Sequence, residues 1–504
     1  MQRILPLENA LPLYDLAATR GIEERARSAL DPNVLMQRSG LALARLALAL
    51  APHACGIWVA AGPGNNGGDG FEAALHLHRW GKRVAVSMLA DEAAQPADAR
   101  LALARARAAG VAIVASLDIG FAPDLAVDAL LGIGASRAPD ERIAAWIRAL
   151  NALPCPVLAA DIPSGLHADT GTALGPDCVI ASHTLSLLTL KPGLFTGVAR
   201  DHCGTVWFDN LEVDAVAAAP AAWLSGASQL RAWPRVRRHG QHKGSFGDVA
   251  VVGGATGMSG AALLAARAAL AAGAGRVFVD LLDGQGATHD PHRPELMLRP
   301  GWVESAHDVL RNSLVVCGCG AGDAVRKTLP KLLSQVPRLV LDADALNALA
   351  SDTSLLGQLA ARAGRGHITV LTPHPLEAAR LLGCTTAQVQ ADRIGAATRL
   401  ATSVGAVVVL KGSGSVIAAP GRTPHLNPTG NAALASAGTG DVLAGWLGGS
   451  WSQGGPSEGT NAAFVAACGA VYLHGLAAEG IRAGPLRATD LIERMHHIVL
   501  TSNA

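Results

Sequence analysis

Aromatic side chains are scarce in this chain, at 4% of 504 residues, and charged ones reach only 16%, while half of the residues are hydrophobic. The core must then be filled mainly by Ala, Leu and Val, which suits layered α/β packing in a chain long enough for two or three domains. An imbalance of charge is also missing. Lys+Arg at 41 against Asp+Glu at 40 leaves +1, which offers no electrostatic footprint for nucleic acid or an anionic membrane, so the expected partners are small molecules. The eight cysteines include no C-x-x-C pair and read as buried apolar residues of a reducing compartment; Cys317-Gly-Cys319 is too close-spaced for the usual zinc pair and reads as small residues packed at a strand end. MQRILPLENALPLYD has no basic stretch followed by an apolar core, so no secretory signal is expected and the location is expected to be cytoplasmic. The longest uncharged stretch, Asn461 to Ala478, is broken by His474 and other polar or Gly residues and reads as a buried helix rather than a membrane span. The P-loop pattern G-x-x-x-x-G-K-S/T does not occur, which disfavours that fold.

Short apolar runs alternate with Ala-rich stretches from the start: GIWVAAG, a helix from Asp69, RVAVSMLA, a helix through Ala97 to Ala109, LAVDALLG and CPVLAADIPSG. This is βα alternation and predicts a mainly parallel sheet. HTLSLLTL and TVWFDNL close the first unit before the Ala/Pro-rich segment Val213 to Trp223, the linker candidate, so domains are expected over 1–222 and 223–504. GDVAVVGGATGMSGAALLAARAAL restarts the pattern as strand, Gly-rich turn and long helix. The later strands NSLVVCGCG, RLVLDADAL, ITVLTPHP and AVVVLKGSG end in Gly, Asp or His clusters, and in open α/β sheets such ends converge on one ligand crevice.

In AAGPGNNGGDG, Gly62, Gly64 and Gly67 fit the dinucleotide pattern G-x-G-x-x-G. The pattern then continues as Asn65-Asn66-Gly67-Gly68-Asp69-Gly70, read as a loop before any helix; amide and carboxylate oxygens suit a monovalent cation and loop N–H groups suit an anion. VDALLGIGASR puts Asp128 at the end of an apolar run followed by a flexible Gly132-Ile133-Gly134 loop, while AADIPSG places Asp161 and Ser164 at the end of another. A lone strand-end Asp is more often a cap than a catalyst, but three such loops in one domain reverse those odds, and Asp161 is the candidate general base. Only six lysines occur, at 82, 191, 243, 327, 331 and 411, which makes Lys191 in LKPG a candidate for a ligand phosphate or the reacting centre rather than a solvated strand end.

GPGNNGGDG, VDALLGIG, DIPSG and TLKPG, in that order, resemble NAD(P)H-hydrate epimerase, a Rossmann-like domain that interconverts the R and S forms of hydrated NAD(P)H. The resemblance implies hydrate contacts at Asn65, Asn66, Gly67, Gly68 and Asp69, at Gly132, Ile133, Gly134, Ala135, Ser136, Arg137 and Ala138, and at Asp161 beside the reacting ring. It implies potassium at Asn66, Asp128 and Ser164. The opening glycines would then hold a damaged nicotinamide dinucleotide, without hydride transfer.

In the second half, Ala437-Gly438-Thr439-Gly440-Asp441 opens the apolar helix VLAGWLGG. A helix N-terminus stabilises phosphate charge, and an Asp there can deprotonate a hydroxyl for attack on a phosphoryl group; placement for the helix dipole is an equal alternative on this motif alone. The pattern resembles the ribokinase-like superfamily. With HKGSFGDVAVVGG, GMSGAALLAA, PELM, DADALNAL, LTPHP and KGSGS, it resembles ADP-dependent NAD(P)H-hydrate dehydratase. That resemblance implies ADP contacts at Lys411, Gly412, Ser413, Gly414, Ser415 and Gly440, hydrate contacts at Ala261, Gly322, His374 and Asp441, Asp441 as base, and magnesium with ADP. Ser415 stands where the family commonly has Thr, and GCGAGD replaces a family GPGLG. An isolated His374 would more often be a satisfied structural histidine; between two prolines at a strand end it is read as facing ligand. The whole is expected to be a homo-oligomeric repair protein. The rivals are a ribokinase-like kinase of a small vitamin precursor and a chain in which one half is a noncatalytic nucleotide-binding scaffold.

Overall fold

A computed structural model describes residues 1–89, 91–215, 218–230, 237–282, 288–454, 459–481 and 484–501. The chain divides into two compact units, Met1–Leu7 with Pro12–Ala222 and Glu8–Leu11 with Trp223–Ala504. Residues 216–217 of the linker candidate lie outside the described residues.

The first unit is an eight-stranded sheet in the order Gln2–Arg3, Thr205–Asp209, His183–Leu187, Val157–Ala160, Leu125–Ala129, Gly56–Ala61, Arg83–Met88, Ala112–Val114. All neighbours are parallel except the first pair. Along Gly56–Ala61, Ile57, Val59 and Ala61 pack into one core with the helices Val34–Leu50 and Asn65–Arg79, and Trp58 and Ala60 into another with helix Glu141–Asn151. Period-two alternation between two apolar layers is what a sheet covered on both faces requires. The chain leaves Gly56–Ala61 toward one side of the sheet and later returns to its other side at Leu125–Ala129, so the carboxyl ends of these two strands form the switch point where such sheets hold ligands.

The helix after Gly56–Ala61 begins at Asn65, not at Asp69, so Asn65 to Gly70 is not a loop. Glycine disfavours helix in isolation, but here packing overrides propensity. A Cβ on Gly67 would lie 2.2 Å from the Gly62 carbonyl oxygen, one on Gly68 2.7 Å from the Met36 Cε, and one on Gly70 2.8 Å from the Ala129 Cβ. These glycines seat the helix against its own strand and its neighbours.

The second unit has parallel strands in the order Met297–Leu298, Arg276–Leu281, Asp248–Gly253, Ser313–Cys317, Arg338–Leu341, Ile368–Leu371, Val407–Leu410, continued by antiparallel Val416–Ala418 and His425–Leu426. Its switch point lies between Asp248–Gly253 and Ser313–Cys317. Helices Ser259–Ala271, Thr439–Ser452, Thr460–Leu476 and Ala488–Thr501 share a core with one face of this sheet. Thr460–Leu476 is largely buried, as its composition predicts, and among the described residues no helix is long and apolar enough to cross a membrane.

Helix Thr439–Ser452 approaches Ser259–Ala271 through Gly445 and Gly449, where an added Cβ would fall 2.0 Å from the Ala265 carbonyl oxygen and 2.2 Å from that of Ala269. Gly445→Ala therefore destabilises the second unit by about 1–3 kcal/mol through overpacking. Gly357, inside helix Thr353–Gly364 with nothing within 4 Å of an added Cβ, gives the opposite sign: Gly357→Ala stabilises by about 0.4–1 kcal/mol. Denaturant unfolding of the two variants checks both.

Candidate active sites

In the first unit, a cavity of about 460 Å³ opens at the switch point, lined among others by Thr19, Ser39, Asn66, Asp69, Asp161 and Lys191. Asn65 and Gly132 to Ala135 also line it, whereas Gly67, Gly68, Ser136, Arg137, Ala138, Asp128 and Ser164 do not. Lys191 is buried rather than solvated. Its ammonium donates to the Asp161 carboxylate, to the Leu187 carbonyl at 2.7 Å and to the Ser186 hydroxyl at 3.4 Å. The Leu187 N–H also donates to Asp161, at 3.1 Å. Asp161 has φ +67°, the left-handed region that Asp tolerates better than most residues but at a cost, so the surrounding bonds hold it in place.

Beside the cavity, Asp128 is fully buried and accepts from the Ser164 hydroxyl at 2.6 Å, the Ser164 N–H at 2.8 Å and the Leu130 N–H at 3.2 Å. Burial pushes its carboxyl up to about 6 against these hydrogen bonds. Asn66 Nδ2 donates to the Leu131 carbonyl at 3.1 Å, and the Leu131 N–H donates to Ser164 Oγ at 2.8 Å. Asn66, Asp128 and Ser164 are thus gathered around Leu131. Asp69, on the first turns of its helix, accepts from the Ser39 hydroxyl, and burial pushes its carboxyl up to about 8.

In the second unit, the strand ends converge as parallel topology predicts. Lys411 Nζ donates to Asp342 Oδ1 at 2.7 Å, and Thr372 Oγ1 donates to the same oxygen at 2.8 Å. Cys319 Sγ lies 4.0 Å from Asp342 Oδ2, and ligand atoms of Cys319, Asp342 and Asp441 all fall within 4.8 Å of one another. Cys317 and Cys319 are fully buried, as small packed residues, but Cys319 also abuts two carboxylates. Burial, then the Asp342 charge, push Asp441 up to about 6, while Cys319 and Lys411 pull it down. Burial lowers Lys411, yet Asp342 and Glu377 outweigh it and hold the ammonium above its ordinary value. A Cβ on Gly440 would lie 3.5 Å from Lys411 Nζ, so the start of helix Thr439–Ser452 meets the lysine directly.

The KGSGS turn is shaped by residues that sequence reasoning missed. Buried Arg393 donates to the carbonyls of Lys411 at 3.1 Å and of Leu410 and Gly414 at 3.4 Å, and Gly412 at φ +127° packs on its guanidinium. Ser415 Oγ closes the turn on the Gly412 carbonyl at 3.1 Å. Arg393 carries no local pattern beyond a lone Arg, and Asp342 opens the strand-end motif DADALNAL without having been assigned a role. The Gly322 N–H donates to Asp344 Oδ2 at 2.8 Å, and Ala261 packs under Gly320. His374 is a helix cap: its Nδ1 accepts from the Leu376 and Glu377 N–H groups at 3.1 and 3.3 Å, and Glu377 returns a bond to its N–H. The ring is therefore committed by Nδ1 to structure, the bland alternative for this residue, because Pro375 at the first helical position leaves the next N–H groups to be satisfied.

Residues 32–193 match the family model "YjeF-related protein N-terminus" and residues 249–499 the model "NAD(P)H-hydrate dehydratase". The chain is 38% identical over 485 residues to the bifunctional NAD(P)H-hydrate repair enzyme Nnr of Escherichia coli K12, covering 92% of this chain and 89% of that protein. The chain belongs to the bifunctional NAD(P)H-hydrate repair enzyme family. Its second half is also 43% identical over 251 residues to an ADP-dependent (S)-NAD(P)H-hydrate dehydratase of Neisseria meningitidis, covering 49% of this chain and 81% of that one. Among solved structures, an ADP/ATP-dependent NAD(P)H-hydrate dehydratase from Bacillus subtilis, co-crystallised with ATP and Mg2+, aligns with a TM-score of 0.44 at 28% identity, covering 55% of this chain and 96% of that one.

The repair-family KGSGS turn depends on the fork of Arg393, which a single ammonium cannot reproduce. Arg393→Lys is expected to speed hydrogen exchange at the amides of Gly412 to Ser415 by at least about tenfold, a loss of about 1.4 kcal/mol in local protection. Unchanged exchange would show the turn to be self-supporting.

Proposed function

We propose that the first unit interconverts the R and S forms of hydrated NAD(P)H and that the second dehydrates the S form with ADP, releasing AMP and phosphate. Beyond family membership over nearly the whole chain, one observation supports this reading: each sheet holds a lysine–carboxylate pair at its carboxyl edge, Lys191–Asp161 buried and Lys411–Asp342 partly so.

In the second unit, the N–H groups at Gly440 and the Lys411 to Ser415 turn hold the diphosphate, with Mg2+ arriving on ADP. Asp441 takes the proton of the ring hydroxyl, whose oxygen attacks the terminal phosphorus of ADP as AMP leaves. Phosphate then departs with the C–O electron pair, and loss of a proton from the adjoining ring carbon restores the double bond. Ala261, Gly322 and the remaining face of His374 border the hydrate.

In the first unit, the Lys191 ammonium keeps Asp161 poised as base beside the ring, and Asn65, Asn66, Asp69 and the Gly132 to Ala135 segment border the hydrate. Asn66 and Ser164 both donate to the Leu131 carbonyl and Ser164 also to Asp128, so an amide, a hydroxyl and a carboxylate lie together, and their oxygens are the hard ligand types that suit potassium. A potassium ion there would supply positive charge next to the buried Asp128. The reading takes small molecules as the only partners, in a cytoplasmic homo-oligomer.

Mixed R and S hydrate supplied with Mg2+, K+ and ADP should be recovered completely as NADH, followed by absorbance. A stable phosphorylated product without NADH would favour the kinase rival, and recovery stalling at the S fraction would favour an inactive first half. Asp161→Ala should abolish epimerisation and spare dehydration of S-hydrate, and Asp441→Asn should do the converse. Because Asp441 must be ionised to act, kcat/KM for dehydration should fall as pH drops through about 6. Finally, K+ should raise the Tm of the wild type over a sodium control, and Asp128→Ala should erase that difference.

A further inference from the structure

Three carboxyl groups line the first-unit cavity; Glu23 pairs with Arg27, while Asp69 and Asp161 stand in opposite settings. Asp161 faces the buried Lys191 ammonium, which donates to its carboxylate. Asp69 comes from a different element, the helix Asn65–Arg79, and its bonding partner is a neutral hydroxyl, that of Ser39 on helix Val34–Leu50. The charged groups facing Asp69 are Glu23 from helix Leu16–Ala29, Asp161 from the end of its strand, and Lys191. Desolvation is the largest influence and acts with the two acidic neighbours against the Ser39 hydrogen bond and Lys191, holding the carboxyl near 8. One carboxyl held beside an ammonium and another held beside a neutral hydroxyl, on the walls of one cavity, are the arrangement of a base and an acid.

We propose that Asp69 is the general acid of the epimerase, working with Asp161 as its base across one cavity. The inference rests on the epimerase reading of this unit. In the hydrate, the hydroxyl-bearing carbon is bonded to the ring nitrogen. Asp69 gives its proton to the hydroxyl oxygen, the C–O bond breaks with its electron pair leaving on water, and the nitrogen lone pair forms a C=N bond. A water molecule then adds to the other face. Its lone pair forms the new C–O bond, the C=N pair returns to nitrogen, and the surplus proton passes to Asp161. One water leaves and one enters; one proton is given and one taken, and its return from Asp161 to Asp69 through cavity water resets the site. Ser39 is a positioning residue that orients Asp69 and, by donating to its carboxylate, offsets part of the upward push of burial.

The full chain is tested with R-hydrate above the uncatalysed rate. Asp69→Asn should lower epimerisation at least about 100-fold while the hydrate still binds, and Asp69→Glu should restore part of the rate. In the wild type, kcat/KM for epimerisation should fall as pH rises through about 8, where the acid loses its proton. Ser39→Ala removes a hydrogen bond that favours the carboxylate, so this limb should move to higher pH, a readout that loss of packing alone would not give. Epimerisation in 18O-labelled water should place label on the product hydroxyl. Wild-type turnover by Asp69→Asn, an unmoved limb in Ser39→Ala, or inversion without label would overturn the assignment. A wild-type chain that dehydrates S-hydrate but never epimerises would instead overturn the reading on which it rests.

Discussion

Burying an ammonium against a carboxylate at the end of a parallel strand sets most of the remaining constraints in both units. Desolvating the two charges costs several kcal/mol each, and only good geometry with further hydrogen bonds offsets that. Lys191, 1% exposed, meets the requirement with three acceptors for its three protons: Asp161, Leu187 and Ser186. Asp161 must then sit in the left-handed backbone region to face it, and the Leu187 N–H and the Asp161 N–H bond to the Leu185 carbonyl at 2.7 Å fix it there. The pair is a poor source of net stability and a good source of position, since every partner is tied to the sheet. Lys411 is held the same way by Asp342, whose shared oxygen also takes Thr372 from the next strand.

Once these lysines are spent on one carboxylate each, a nearby second carboxyl is left in excess negative field. Asp441 stands beside the Lys411–Asp342 pair and is raised by burial and by Asp342; Asp69 stands across the cavity from the Lys191–Asp161 pair and is raised by burial and by Asp161. Raised to about 6, Asp441 is still mostly ionised at neutral pH, whereas Asp69 at about 8 is mostly protonated. The same device therefore leaves a base in one unit and an acid in the other.

Much of this was legible in the sequence. The alternation of apolar runs with Ala-rich helices is a periodic signal, and Asp128, Asp161, Lys191, Lys411 and Asp441 fall at strand or helix ends where such sheets gather ligands. What was not legible is of two kinds. Gly67 and Gly68 read as loop because their intrinsic preference is for turns, and only the 2.2 and 2.7 Å approaches to Gly62 and Met36 explain a helix there. Ser39, Thr19 and Arg393 reach their targets from far away in the chain: Ser39 and Asp69 are 30 residues apart, and Thr19 bonds Thr189 across 170. No local pattern announces such a pair. His374 serves the backbone as well: its Nδ1 caps the helix beside it, a role that its place in the motif did not announce.

Some helices in this chain start at a side-chain cap and others do not, among the latter Val34–Leu50, Ala97–Ala108 and Thr460–Leu476. Helices Leu16–Ala29, Glu141–Asn151, Thr353–Gly364 and Pro375–Leu382 start at Asp15, Asp140, Asp352 and His374, each of which accepts from first-turn N–H groups. Helices Asn65–Arg79 and Thr439–Ser452 start at Gly64 and Gly438, which make no such side-chain bond. A side-chain cap would satisfy those amides and place a carboxylate or hydroxyl over the helix end. Glycine leaves the N–H groups and the positive end of the dipole to whatever enters the crevice. That choice forgoes about 1 kcal/mol or less of capping stability, and both helices recover it by close packing through their glycines, against Gly62 in one unit and Ala265 in the other. The glycines that make these helix ends available are thus inseparable from the glycines that anchor them, which is why a dense run of that residue in each half marks a site rather than a flexible loop.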